Sequence, residues 1–263
     1  MEIAGASVLL TGASGGIGEA IARELAGRGA RLVLSGRRGD VLEELAGELD
    51  ARAIAADLAD EGQVTHLAHD AGEVDILVAN AALPAAGRIE GFTLEQVDRA
   101  LDVNLRAPIV LAHALLPGML ARHRGHLVFI SSIAGKTTVP GDPLYHASKY
   151  GMRGFAAALR QDLHGSGVGV SCIFPGFIRD AGIFADSGAR LPRGTGTRSP
   201  LDVARGAADA IEHDRGEVDV ASVSQRAGVV IAGLAPELTA AFVRRAGGPR
   251  IAEEMERSLR SKR

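Results

Sequence analysis

Tryptophan is absent from this chain, aromatic residues make up 3% of it, and cysteine occurs once, at Cys172. A single thiol excludes an internal disulfide framework and a cysteine-rich zinc site. Cys172 falls in an apolar run and reads as a small core residue. An excess of charge of one sign is also lacking: 29 Lys and Arg against 32 Asp and Glu leave a formal net charge of −3. That balance makes no field strong enough to recruit nucleic acid. The longest uncharged run near the C-terminus, Ala227–Pro236, is well short of the ~20 residues that span a bilayer. The opening Met1–Gly5 carries Glu2 where a leader peptide would be basic. The expectation is a cytoplasmic protein without an integral membrane span. The eight histidines contain no His-Glu-x-x-His pair, and His66 and His69 share a helix face with no third ligand nearby in sequence, so no metal is expected.

What is present is apolar material and glycine: 46% hydrophobic residues and 34 Gly in 263. α/β folds reach about 250 residues as single domains, so one domain over 1–263 is expected. Short apolar runs alternate with longer periodic segments. Ser7–Thr11, Arg31–Ser35, Ala53–Ala56, Asp75–Ala79, His126–Ser131, Val168–Phe174 and Glu217–Val220 read as strands. Between them lie helical patterns, among them Gly16–Arg28, a long helix within Leu94–Arg122, and one from about Tyr145 to His164. This alternation predicts an α/β fold, a doubly wound parallel sheet of the Rossmann-like kind. The pattern loosens over 176–199, which carries five glycines and four arginines. A loop of that length is expected to cover a substrate site. Two further helical segments, near Ser224–Arg245 and Pro249–Leu259, form a C-terminal extension over 224–263. Within it Val229–Val243 is apolar and lacks basic residues, fitting a pocket wall or a subunit contact better than a membrane anchor.

The first strand runs into Thr11-Gly12-Ala13-Ser14-Gly15-Gly16-Ile17-Gly18, where a helix starts. Glycines there let backbone approach a pyrophosphate, and the helix N-terminus offers free N–H groups. Gly12, Ser14, Gly16, Ile17 and Gly18 are the candidate contacts. Strand two ends Ser35-Gly36-Arg37-Arg38 with no acid at its end. An acid there would bind a ribose 2′-hydroxyl, whereas two guanidiniums suit a 2′-phosphate. Arg37 and Arg38 therefore favour NADP, with NAD possible, and Asp40 is close enough in sequence to pair one of them.

Tyr145 and Lys149 stand four apart on one helix face. A nearby ammonium is expected to lower the phenol pKa and let Tyr145 exchange a proton near neutrality. Ser132, thirteen positions earlier at the end of strand five, is placed to hydrogen-bond a substrate oxygen. Asn80 follows strand four at the same sheet edge. Asn104 is a mediocre helix former inside a helix, and its side chain is expected to organise water. His146 points away from Tyr145 and receives no role.

In these spaced motifs the sequence resembles the short-chain dehydrogenase/reductase family over about Ser7 to Gly176. Thr11-Gly12-x-x-x-Gly16-x-Gly18 is similar to its cofactor loop, and Ala79-Asn80-Ala81-Ala82 to its Asn-Asn-Ala-Gly segment. The resemblance implies an adenine contact at Asp57 and Leu58 and cofactor contacts at Asn80, Pro175, Gly176 and Ile178. It implies a catalytic set of Asn104, Ser132, Tyr145 and Lys149, with Lys149 also holding the nicotinamide ribose. Asp180 stands where the family often has Thr, and its Val-Asp-Gly-Gly ending is replaced by the extra helices. The implied activity is hydride transfer between NADP(H) and a carbonyl or secondary alcohol, with Tyr145 as general acid/base and a homo-oligomeric assembly. Two other readings compete: a non-catalytic NADP-binding sensor or scaffold, which has no need of Tyr145, and a nucleotide-sugar epimerase or dehydratase, which needs a larger C-terminal domain than this chain allows. The four loop arginines are expected mainly as a charged lid surface, with an acidic substrate group as the alternative.

Overall fold

The computed structural model describes residues 1–189, 191, 194–245 and 248–259. Two of the four loop arginines, Arg190 and Arg193, lie outside the described residues.

The described residues build a seven-stranded parallel sheet in the order β3-β2-β1-β4-β5-β6-β7. The strands are β1 (Ser7–Thr11), β2 (Arg31–Gly36), β3 (Arg52–Ala55), β4 (Ile76–Ala79), β5 (Gly125–Ile130), β6 (Val168–Pro175) and β7 (Glu217–Val220). β4 and β5 are buried along their whole length. Both faces of a parallel sheet are covered, which is why such runs are apolar throughout rather than alternating.

On one face lie α1 (Gly16–Gly27), α2 (Gly39–Leu49) and α8 (Pro200–His213). Ile21, Ala22 and Leu25 share a core with Ala204, Ala207, Ala208 and Ile211. The small alanines of α8 allow α1 to sit close against it. On the other face lie α3 (Glu61–Asp70), α5 (Ala107–Ala121) and α6 (Pro143–Asp162), with α4 (Leu94–Leu101) packed outside them against α6. Their core joins Leu67, Leu111, Leu115, Met119 and Met152 to Phe129 and Phe174 of the sheet.

The stretch expected as one long helix is interrupted. Between α4 and α5, Asp102–Arg106 form a π-helical turn, with Ala107 N–H bonded to Asp102 C=O. A π turn inserts one residue into the helical repeat, and here it carries Asn104 to 1% exposure. Leu94–Ala121 is long enough to cross a bilayer and holds an 18-residue run of mean hydropathy 1.4. In the fold this stretch comprises α4, the π turn and α5, and the latter packs on the sheet.

The loop over 176–199 contains a short helix, α7 (Gly182–Ser187). The segment expected as one helix near Ser224–Arg245 is two, α9 (Val223–Leu234) and α10 (Pro236–Arg245), because Pro236 cannot continue α9. α11 (Gly248–Leu259) follows. Val230, Ile231, Leu234 and Leu238 of α9 and α10 are exposed. Among the described residues none of Val229–Val243 lines the main cleft, so the expectation that this segment walls the pocket is corrected. The wall comes from α11 instead.

Candidate active site

In the strand order β3-β2-β1-β4, successive crossovers reverse direction between β1 and β4. That topological switch leaves a crevice beyond the C-terminal ends of the strands. A cleft of about 1020 Å³ occupies it.

One end of the cleft is the turn between β1 and α1. Gly12 has φ +67°, and a Cβ there would fall 2.8 Å from Ala81 Cα. At Gly16 a Cβ would fall 2.6 Å from the Ala181 side chain. Neither position accepts a side chain without displacing backbone or the α7 loop. No side chain caps α1 at Gly15, so the first N–H groups of the helix remain available to an anion.

The turn is fastened from beneath. Thr11 Oγ1 accepts the N–H groups of Asn80 (3.1 Å) and Ala81 (3.2 Å). Asn80 Nδ2 donates to the carbonyls of Thr11 (3.1 Å) and Gly12 (3.2 Å). Asn80 lines the cleft as expected, yet its amide nitrogen is spent on tying β1 to β4. Thr11 had no assigned role, since only the β1–β4 pairing makes its hydroxyl a clamp.

Arg37 and Arg38 both line the cleft beside the turn. Arg38 donates to the Ser14 carbonyl, which braces the turn. Among the described residues Arg37 holds no hydrogen bond or ion pair, and its charge reaches Asp57. The expected partnership of Asp40 with either arginine is not formed among the described residues. Asp57 lies on the cleft wall with Leu58 and pairs with Arg99 at 2.8 Å. Burial raises its pKa, but Arg99, the Ala59 N–H and the Arg37 charge outweigh burial and hold the carboxyl below its ordinary range.

The other end of the cleft gathers Ser132, Tyr145, Lys149, Pro175, Gly176 and Ile178. α6 begins with Pro143 at its first turn, where the missing N–H costs nothing. This start sets Tyr145 and Lys149 one helical turn apart, facing the ends of β5 and β6. Ser132 stands beside Tyr145, near enough for its hydroxyl to favour the phenolate. The Ala134 N–H donates to Ser132 Oγ at 3.1 Å, and the serine hydroxyl donates in turn to the Pro175 carbonyl across a long 3.4 Å bond.

The electrostatics differ from expectation. Burial pushes the Tyr145 phenol above the usual tyrosine value, the Asp142 carboxylate adds to this, and the Ser132 hydroxyl only partly offsets them. Burial brings the Lys149 ammonium down to about 8. Lys149 Nζ donates to the Ile130 carbonyl at 3.1 Å and lies 5.5 Å from the Tyr145 ring centroid. The expected lowering of the phenol pKa by Lys149 is therefore corrected for the protein alone, because desolvation of both groups dominates.

The Asn104 side chain is engaged with backbone. Its Oδ1 accepts the Leu83 N–H at 2.7 Å and its Nδ2 donates to the Leu83 carbonyl at 3.0 Å. The side chain does not line the cleft. It clamps the segment after β4.

His146, left without a role, staples the segment after β5. The Val139 N–H donates to Nε2 at 3.1 Å, so the proton sits on Nδ1, which lies 2.8 Å from the Ala134 carbonyl. Burial lowers its pKa and keeps the ring neutral. The loop it holds is near in sequence, but the fold of that loop back over the start of α6 is not written in any helical spacing. Of the loop arginines that are described, neither lines the cleft. Arg179 lies 3.4 Å from Asp180, and Arg198 donates to the Ala221 carbonyl. Cys172 is buried, and desolvation pushes its thiol up to about 12, so it is not a nucleophile.

The uncapped α1 N-terminus, the glycine cradle and the two cleft arginines fit a dinucleotide. Gly12 to Gly18 would hold its pyrophosphate, and Lys149 with Pro175–Ile178 would flank the nicotinamide half.

The sequence profile described as short chain dehydrogenase matches residues 6–190. Among curated relatives, a ketoacyl reductase, HetN, of Nostoc sp. is 34% identical over 227 residues, covering 83% of this chain and 79% of that protein. Among solved structures, a closed form of serine dehydrogenase complexed with NADP+ superposes with a TM-score of 0.74 at 28% identity, covering 82% of this chain and 95% of that one. A short chain dehydrogenase/reductase from Burkholderia phymatum in complex with NAD gives a TM-score of 0.78 at 25% identity, with coverage of 91% and 97%. With motif order, sheet topology and cleft in agreement, the chain belongs to the short chain dehydrogenase family of NAD(P)-dependent oxidoreductases.

Proposed function

We propose that this protein is an NADP-dependent reductase or dehydrogenase acting on a carbonyl or secondary alcohol, with Tyr145 as the general acid/base. The observation that carries this reading is the gathering of Ser132, Tyr145 and Lys149 in the same cleft that ends, on its other side, in the uncapped α1 N-terminus. When bound, the nicotinamide supplies or accepts the hydride.

The chain's own residues supply the proton and the field. A substrate carbonyl oxygen bridges Ser132 Oγ and the Tyr145 hydroxyl. Ser132, its lone pair engaged by the Ala134 N–H, turns its proton from the weak bond to the Pro175 carbonyl toward that oxygen as negative charge develops. Tyr145 transfers its phenolic proton to the same oxygen. The raised pKa of the phenol keeps it protonated in the protein alone, which is the form that reduction consumes. The buried Lys149 ammonium uses one donor on the Ile130 carbonyl and has two left for ribose hydroxyls. Its charge favours the phenolate left after proton transfer. A sensor or scaffold would have no use for an ionisable pair buried at this point.

Tyr145→Phe removes the proton while retaining the ring. It is expected to abolish NADPH oxidation across a panel of ketones and aldehydes while leaving the thermal unfolding midpoint within a few degrees of wild type. Turnover that survives in the variant would remove Tyr145 from the mechanism. Arg37→Ala with Arg38→Ala is expected to weaken NADP binding at least tenfold more than NAD binding, since Arg37 and the donors Arg38 keeps beyond its bond to the Ser14 carbonyl would meet the 2′-phosphate, whereas losing the Arg38 brace weakens both nucleotides alike. Equal losses for the two nucleotides in calorimetric titrations would refute the assignment.

A further inference from the structure

The profile shared with the family ends at residue 190, yet the far wall of the cleft is built by a helix beyond it. α11 packs against α7, and Met255 and Leu259 on its inner face line the cleft. Leu259 has no exposed surface and Met255 is half-buried. From α7 and the strand end before it, Phe177 and Phe184 face this wall with ring centroids 4.8 Å apart. The outer face of α11 is acidic. The charges of Glu253 and Glu256 reach the Arg88 guanidinium, which itself pairs with Glu90 at 2.6 Å. The helix therefore extends from α7 toward the loop preceding α4.

We infer that α11 and α7 together form a subsite for the apolar body of the substrate, and that Met255 sets its depth. This rests on the hydride-transfer reading above and names its substrate class: carbonyl compounds carrying an uncharged alkyl or aryl group. The polar demand of the reacting oxygen is met by Ser132 and Tyr145. Beyond them the walls are Phe177, Phe184, Met255 and Leu259, which gain from displacing water by hydrocarbon. Asp142 and Asp186 also line the cleft. The two described loop arginines, turned away from the cleft, offer an anionic tail no partner. Met is flexible and its volume can be altered in both directions, so it is the residue through which the depth can be tuned.

The test uses the full chain with bound NADP+ and a series of unbranched methyl ketones from butanone to dodecanone. Binding is measured by calorimetry and turnover separately with NADPH. In the wild type, affinity is expected to rise with chain length to an optimum. Met255→Ala should move the optimum to longer chains and weaken binding at the old optimum on the order of tenfold. Met255→Trp should move the optimum to shorter chains. A keto acid of the optimal length should bind more weakly than the ketone. The same optimum in all three proteins, the absence of a length dependence, or a keto acid bound as tightly as the ketone would each overturn the subsite. A length-dependent affinity that follows Met255, without turnover of any ketone, supports the subsite and defeats the hydride-transfer reading instead. Because Met255 is half-buried, both variants are expected to fold. Circular dichroism and an intact NADP+ titration check this before the ketone series is read.

Discussion

Asn104→Ala separates two roles for a residue at the centre of the molecule. As a clamp, Asn104 satisfies both backbone groups of Leu83, at 2.7 and 3.0 Å, and is 1% exposed. Truncation leaves a buried N–H and a buried C=O with no partner from this side chain. Each such group costs about 1–3 kcal/mol, so the loss is expected near about 3 kcal/mol. For a domain of this size that corresponds to a fall of roughly 6–12 °C in Tm. Because Leu83 lines the cleft, KM should rise along with the loss of stability. Differential scanning calorimetry reads the first and steady-state kinetics the second. Asn104→Asp sharpens the test. A protonated Asp can still donate to the Leu83 carbonyl and accept its N–H, whereas the carboxylate loses the donor and carries a buried charge. Its folded pKa is therefore raised above the unfolded value of about 3.9. Stability is fully present below that value and is lost as pH rises through the folded pKa. If Asn104→Ala unfolded at the wild-type temperature while turnover collapsed, the side chain would serve proton movement and the clamp argument would fail.

Two further perturbations follow from buried charge. Lys149 has its pKa lowered by burial from 10.5 to about 8, so keeping it protonated at neutral pH costs the fold about 3 kcal/mol. The sign follows from the depressed folded pKa: the penalty is full below about 8 and vanishes as pH rises through 10.5. Lys149→Met should eliminate turnover yet stabilise the protein by about 2 kcal/mol at neutral pH, after subtracting the lost bond to the Ile130 carbonyl; a lower urea midpoint would contradict this. On β5, His126 Nε2 lies 2.7 Å from Ser171 Oγ, which itself donates to the Arg215 carbonyl at 2.7 Å. Burial lowers its pKa from 6.5 to about 4, so acid should remove up to about 3 kcal/mol of stability. The loss should develop as pH falls from 6.5 to about 4. His126→Gln should flatten the urea-midpoint profile across that interval, and an unchanged slope would assign acid sensitivity elsewhere.

Chain order and local pattern determined much of this protein. The seven apolar runs became seven parallel strands because each is short, apolar and separated by a helical segment, and parallel pairing is the arrangement such spacing permits. Gly12, Gly16 and Gly18 marked the phosphate turn because a backbone that must pass close to another cannot carry a Cβ. Tyr145 and Lys149 were legible because a spacing of four is a property of one helix. What the tertiary structure decided involves groups far apart in sequence or balances of burial against charge. The clamp of Asn104 on Leu83 required the π turn and the segment after β4 to meet. His146 acquired its role from the loop folded over it. The elevated phenol of Tyr145 reflects desolvation, which no spacing encodes. Met255 and Leu259 reached the cleft only because Pro236 breaks the preceding helix and α11 returns against α7. Helical and strand periodicities are written in neighbouring residues, whereas burial, and with it every shifted pKa and every wall of the substrate compartment, exists only once distant segments exclude water together.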